Sequence, residues 1–153
     1  MLAAMKLLVV VALLAACGAK PPAASTAAGE AEVVLPDVPF DKLDHKQQIA
    51  FMKQKVMPVM KPLFVAHDAK EFAEFGCQTC HGEEAKDGHF DMPNAKLPKL
   101  NFNDMSKFEK EDLDWMKNEV LPAMAKVLNE PMYSEANPKG FGCLGCHTME
   151  GTP

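Results

Sequence analysis

Two stretches of the chain carry apolar residues at intervals of three and four. The first stretch has them at Ile49, Met52, Val56, Met60 and Leu63. The second has them at Leu113, Met116, Val120, Met124 and Val127. Polar residues fill the positions between, so each stretch predicts an amphipathic α-helix. No segment shows the strict alternation that predicts a β-strand, and the expected fold class is all-α.

The two helical stretches are copies of one another. They align without gaps at an offset of 64, because 116 − 52 = 64 for Met116 and Met52, and 122 − 58 = 64 for Pro122 and Pro58. Such self-similarity indicates a duplicated unit. Proline inside a helix removes a hydrogen bond, so each helix is expected to kink there, or to end and restart.

Local signals predict where the helices begin and end. Asp41 or Asp44 is expected to cap the first helix, and residues 106–109, Ser-Lys-Phe-Glu, predict a capping box for the second. A shorter helix is predicted over residues 68–75, with Gly76 as its stop. Residues 82–103 are predicted to form a loop.

The unit ends in a second repeated motif. Phe-Gly-Cys-x-x-Cys-His occurs at residues 75–81 and again at 141–147. In Cys-x-x-Cys-His the two thiols add to the vinyl groups of one haem, and the histidine becomes an axial ligand of the iron. The sequence therefore predicts two haem c groups. Their thioether cysteines are Cys77, Cys80, Cys143 and Cys146, and their proximal ligands are His81 and His147.

Zinc and dithiol chemistry are the alternatives for these cysteines. Zinc ribbons place their paired cysteines about 15 to 20 residues apart, whereas 143 − 80 − 1 = 62 residues separate Cys80 from Cys143. A thioredoxin-like pair requires a βαβ setting, and no strand pattern flanks either motif. Both alternatives are weaker than haem attachment.

The N-terminus has the pattern of an export signal. Lys6 precedes an apolar run too short for a membrane span, which takes about 20 residues. The run ends in Leu-Ala-Ala-Cys at residues 14–17, which resembles the lipobox of bacterial lipoproteins. The resemblance implies a signal peptide over residues 1–16 and lipidation of Cys17. The alternative is an ordinary signal peptide with Cys17 incidental. Since the other four cysteines belong to the haem motifs, none is left for a structural disulfide.

The rest of the chain divides by composition. Residues 17–37 are rich in Ala, Pro, Ser and Gly and predict a flexible tether. Residues 38–153 amount to one domain, with repeat one over 38–104 and repeat two over 105–153. Without Lys6 the chain has 15 Lys, no Arg and 21 acidic residues, a formal charge of 15 − 21 = −6. This charge argues against nucleic acid as a partner and favours basic patches on redox partner proteins.

A helix with a methionine, a turn and Cys-x-x-Cys-His, all repeated, resembles the haem-binding segments of the cytochrome subunit of photosynthetic reaction centres. In that family the distal methionine comes from the helix before the cysteines. The resemblance therefore implies Met60 and Met124 as the distal iron ligands. They lie 77 − 60 = 17 and 143 − 124 = 19 residues before the first cysteine of each motif. The resemblance covers the two repeated units of this chain, whereas the reaction-centre subunits have four such units.

Other side chains compete for the distal positions. Met52 and Met116 lie two helical turns earlier, and Met92 precedes a proline, as the ligand of single-haem class I cytochromes often does. The histidines that would give a second imidazole at haem one are His45, His67 and His89, and Met132 is the remaining alternative at haem two.

These observations predict a non-enzymatic, lipid-anchored dihaem cytochrome that transfers single electrons in the bacterial cell envelope. Gly18, rather than Asp, follows Cys17, which favours the outer membrane over the inner one. One alternative function is gas binding, as in cytochrome c′. The other is a small dihaem peroxidase, which the scarcity of unassigned histidines and the lack of arginine disfavour.

Overall fold

The computed structural model describes residues 33–151. The predicted signal peptide, Cys17 and the tether up to residue 32 lie outside the described residues. The helices are α1 (His45–Phe51), α2 (Met57–His67), α3 (Cys77–His81), α4 (Lys110–Trp115) and α5 (Leu121–Leu128). Shorter 3-10 segments cover Phe40–Lys42, Glu83–Asp87 and Cys143–Gly145. Over the described residues there is no strand, only three isolated bridges, so the all-α class is confirmed.

Each long helix passes through a π-helical segment. Met52–Val56 joins α1 to α2, and Met116–Val120 joins α4 to α5. The two segments begin 116 − 52 = 64 residues apart, which is the offset of the sequence repeat. A proline is the second residue of the α-helix that follows in both copies. Neither helix ends at its proline, so the predicted interruption takes the form of a wider turn just before it.

Only one of the two predicted helix caps is present. Asp44 caps α1: its carboxylate accepts from the Gln47 N–H at 2.9 Å, and the Gln47 side chain accepts from the Asp44 N–H at 3.0 Å. The capping box at residues 106–109 is wrong, because α4 begins at Lys110 without a side-chain cap. The Ser106 hydroxyl instead donates to Asp104 at 2.6 Å, and this local turn competes with the cap.

The predicted helix over residues 68–75 is also wrong. Asp68 accepts two backbone N–H groups at 2.8 Å each, and the chain continues as turns. The rings of Phe72 and Phe75 lie 5.0 Å and 4.7 Å from that of Phe64, so core packing determines this segment. Gly76 precedes α3 as its N-cap and does not stop an earlier helix.

The core lies between the two long helices. Helix α2 packs against α5 and the second π segment, while α5 packs against α2 and the first π segment. Each α-helix thus contacts its equivalent in the other repeat and the π segment that precedes that equivalent, which is the contact pattern of two repeats related by a pseudo-twofold axis. The buried residues of the cluster are Val56, Met60, Phe64, Phe75 and Trp115. Full burial of an apolar side chain contributes about 1.5–3 kcal/mol, so these five supply much of the stability of the small domain.

The described part of the tether contacts the domain. The backbone oxygen of Val33 accepts a hydrogen bond from the Gln54 side chain at 3.1 Å, while Val34 is 86% exposed. Within residues 33–151, no helix combines the length and the apolarity that crossing a membrane requires.

Candidate functional site

The first Cys-x-x-Cys-His motif forms a single turn of helix. Helix α3 starts after Gly76 and contains the whole motif, so Cys77, Cys80 and His81 have the i, i+3, i+4 spacing of one helix face. The Gly76 N–H donates to the Thr79 hydroxyl at 3.1 Å, which secures the start of the turn. Cys77 is exposed, and Cys80 packs against the core cluster.

The second motif forms a tighter turn with the same closure. Cys143 is the first residue of the 3-10 segment Cys143–Gly145, and Cys146 follows that segment directly. The His147 N–H donates to the Cys143 oxygen at 2.9 Å. The Phe141 ring covers Gly145, where a Cβ would lie 2.7 Å from the ring. Both motifs therefore present two thiols and an imidazole from one turn of chain, and all four thiols are free.

A hydrogen bond fixes the tautomer of His147. Its Nδ1 lies 2.9 Å from the backbone oxygen of Pro98. A carbonyl oxygen only accepts, so Nδ1 carries a hydrogen, and the neutral ring then has its lone pair at Nε2. Histidines that bind metals are usually oriented by such a bond from the other ring nitrogen. His147 is thus prepared for a metal at Nε2.

The environment of His81 differs from that of His147, because burial rather than a hydrogen bond is its main feature. The Nδ1 of His81 is buried and makes no hydrogen bond of good geometry. Burial lowers the pKa of His81, and the backbone of nearby Phe90 opposes that shift in part. The Phe90 ring meets the imidazole edge to face at 5.3 Å. The side chain is therefore favoured in the neutral form, which is the form that ligates a metal.

The second cysteine of each motif is half-buried. Burial, followed by the charges of Cys146 and Cys77, raises the pKa of Cys80 to about 12. Burial, followed by the charge of Cys143, raises the pKa of Cys146 to about 11. The two motifs are close, because Asn94 hydrogen-bonds to the backbone oxygens of both Cys80 and Cys146. Neither environment favours a thiolate, whereas a neutral thioether would lose nothing by burial there.

The preferred methionines belong to the core. Met60 is 3% exposed within the buried cluster, and half-buried Met124 packs against the same cluster, as Cys80 does. The structure thus brings both predicted distal ligands and one predicted thioether cysteine into a single apolar cluster. Met52 and Met116 pack against it too, so this cluster contains the reserve ligands as well.

The histidine alternatives occupy different environments. His89 lines a cleft of about 220 Å³ together with His81, and the His45 ring lies 6.2 Å from that of Phe90. His67 is already engaged, because its ring stacks on Trp115 with centroids 3.9 Å apart and its Nε2 lies 2.9 Å from an Asp112 oxygen.

The two remaining methionine alternatives lie outside the core cluster. Met92 is half-buried, and it precedes Pro93, which lines the cleft beside His81. Met132 is 41% exposed and pairs with Phe141 just before the second motif. Neither position is repeated in the other half of the chain.

Comparison with family models, curated proteins and solved structures found no match to this chain. Over residues 33–151, no group of three or more His, Cys, Asp or Glu side chains is placed to hold a metal ion by itself. Free paired thiols, two imidazoles and an adjoining apolar cluster with thioether sulfurs are chemically suited to covalently held haem.

Sequence reasoning missed two residues of the site. Pro98 supplies the carbonyl that orients His147, and Asn94 hydrogen-bonds to both motifs. The Pro98 contact is made by backbone and so leaves no signature in residue type. Asn94 follows a proline in a loop, where asparagine ordinarily indicates no more than a turn.

Proposed function

We propose that this protein is an electron-transfer protein that carries two covalently attached c-type haems. The observation that carries the proposal is the repeated turn of chain with two free thiols and a histidine, with His147 oriented through Nδ1 and available at Nε2. A structural dithiol or an isolated metal site gives no reason for that histidine in both copies.

Each part of the site has a separate task in this proposal. Cys77 and Cys80 hold one haem, and Cys143 and Cys146 hold the other. His81 and His147 are the proximal ligands. When bound, a haem supplies an iron that carries a single electron as it changes between the ferrous and ferric states. The polypeptide sets the position, the axial ligands and the exclusion of water.

Met60 and Met124 are the proposed distal ligands. Both belong to the apolar cluster that also receives Cys80, and both lie on the α-helix that follows a π segment. Ligation of one iron by both a methionine and a histidine would raise the potential of that haem and would close it to external ligands. His89 is the competitor at haem one, because it shares a cleft with His81.

The cellular setting proposed is the outer face of a bacterial membrane, with Cys17 lipidated and residues 17–37 as a tether. The outer membrane is favoured over the inner one. An acidic domain on a tether would meet basic surfaces of electron donors and acceptors, since opposite charge speeds encounter. Redox proteins are therefore the proposed partners.

Carbon monoxide distinguishes electron transfer from the two alternative functions. It binds ferrous haem only where the sixth position is open or readily vacated. The reduced protein is mixed with carbon monoxide and the Soret band is followed. An unchanged band is expected for two closed irons. A change at one haem would favour a peroxidase or a gas sensor, and a change at both would contradict the methionine ligands.

A further inference from the structure

Asn94 links the two Cys-x-x-Cys-His motifs. Among residues 33–151 it is the one polar residue that is buried, with 6% of its surface exposed. Its side-chain Nδ2 donates to the backbone oxygen of Cys80 at 3.0 Å, and its backbone N–H donates to that of Cys146 at 2.8 Å. Its Oδ1 accepts from the Lys96 N–H at 2.8 Å, which holds the side chain in this orientation.

The two acceptors occupy equivalent places in the duplicated unit. Cys80 and Cys146 are each the second cysteine of a motif, directly before the proximal histidine. A hydrogen bond to either carbonyl therefore constrains the turn that carries one thioether and one iron ligand. Asn94 constrains both turns at once, because its two donors, the backbone N–H and the side-chain Nδ2, belong to one residue.

The chain after Asn94 continues this link. Leu100 donates its N–H to the Thr148 oxygen at 2.9 Å, and its own oxygen accepts from the Glu150 N–H at 2.9 Å. The segment after motif one thus runs along the segment after motif two. These backbone bonds join the segments beyond the motifs, and the Pro98 oxygen accepts from His147 in motif two. Asn94 differs from these residues because it bonds to both motif turns.

We propose that Asn94 is a positioning residue that holds the two haems at one distance and one orientation. The inference rests on the proposed function, since it concerns groups attached to these turns. Electron exchange between two centres falls steeply with distance, so a fixed pair exchanges electrons faster than two haems on independently moving turns. Asn94 acts through its hydrogen bonds to the backbone of Cys80 and Cys146.

The test uses the intact haem-loaded protein and Asn94→Asp. This change replaces the NH₂ donor by an oxygen facing the Cys80 oxygen, while the shape and the backbone N–H are kept. Asn103→Asp is the matched control, because it makes the same chemical change at an exposed position. Haem is counted first. Soret circular dichroism is then measured, since two coupled haems give a paired positive and negative signal that depends on their separation and angle.

We expect wild type and Asn103→Asp to share one Soret couplet, and Asn94→Asp, with two haems, to lose most of it. An unchanged couplet in Asn94→Asp with two haems overturns the inference and leaves the proposed function intact. Wild type with two haems and no couplet overturns it as well. Wild type without haem defeats the proposed function, and the inference with it.

A second measurement decides the matter if Asn94→Asp does not take up two haems. Amide hydrogen exchange of the wild-type protein is then compared at Asn94 and at exposed Asp91. Strong protection of the Asn94 amide supports the link to Cys146. Exchange as fast as that of Asp91 overturns it.

Discussion

Replacement of Met60 by leucine separates a haem ligand from a core filler. Met60 is 3% exposed, so alanine would leave a cavity and cost about 2–5 kcal/mol of unfolding free energy. Such a loss would disturb the site whether or not the sulfur binds iron. Leucine has nearly the same volume, and swaps of this kind cost less than about 1.5 kcal/mol. Met60→Leu therefore removes the thioether while the core stays filled.

We expect Met60→Leu to keep two haems and to change one of them. A thioether bound to ferric haem gives a weak near-infrared charge-transfer band, and about half of it should disappear because one of two such ligands is lost. One iron should become open to carbon monoxide. One midpoint potential should fall, since axial ligands shift haem potentials over a span of about 0.8 V.

Met57→Leu is the matched control. Met57 packs against the same cluster from the same helix, and its repeat position, 57 + 64 = 121, is already leucine. It should change neither the band nor the potentials. If Met60→Leu leaves both unchanged with two haems bound, Met60 only packs, and His89 becomes the next ligand to test. Met124→Leu applies the same reasoning to haem two.

The remaining predictions concern the anchor and the fold. Cys17→Ser should block acylation and move the protein out of the detergent phase on phase separation; unchanged partitioning would show that the lipobox was misread. Gly140→Ala should lower the unfolding free energy by about 1–3 kcal/mol, because a Cβ there would lie 2.4 Å from the Met132 backbone. Gly76→Ala is its control, with the nearest atom 3.8 Å away, and equal losses would contradict the packing. Asp44→Ala should cost about 1 kcal/mol in denaturant unfolding and Asp44→Asn much less, unless the capping box is not formed in solution.

Periodicity and repetition predicted the framework of the fold. The two long helices and their offset of 64 are present, and even the π segments obey that offset, starting at Met52 and Met116. Helical spacing of apolar residues is a physical requirement of burying one face, so it can be read from a single chain. That Met60 and Met124 meet in one cluster is a finding of the structure.

Short local signals were less dependable, because tertiary contacts override them. Ser106 had the spacing of a cap, yet its hydroxyl is taken by Asp104. Residues 68–75 were predicted to form a helix. The rings of Phe72 and Phe75 pack against Phe64 in the core instead, and the backbone of this segment forms turns. Isolated helices this short are marginal in water, so packing decides their conformation.

The contacts between the two motifs could not be predicted at all. The bonds from Asn94 to the carbonyls of Cys80 and Cys146 join residues that are distant in sequence, and three of the four groups that form them belong to the backbone. The same holds for the bond between His147 and Pro98. A residue pattern reports side chains, and these links depend on where backbone oxygens meet in the folded chain.

The central claim is that both motifs carry covalent haem, and counting haem tests it most directly. The purified protein is extracted with acidified acetone, which removes haem that is not covalently bound, and the remainder is measured as the pyridine haemochrome per chain. We predict two haems per chain for the wild type and one for a variant with Cys143→Ala and Cys146→Ala. A mass spectrum of the mature protein without added haem, or one haem per wild-type chain, would contradict the account.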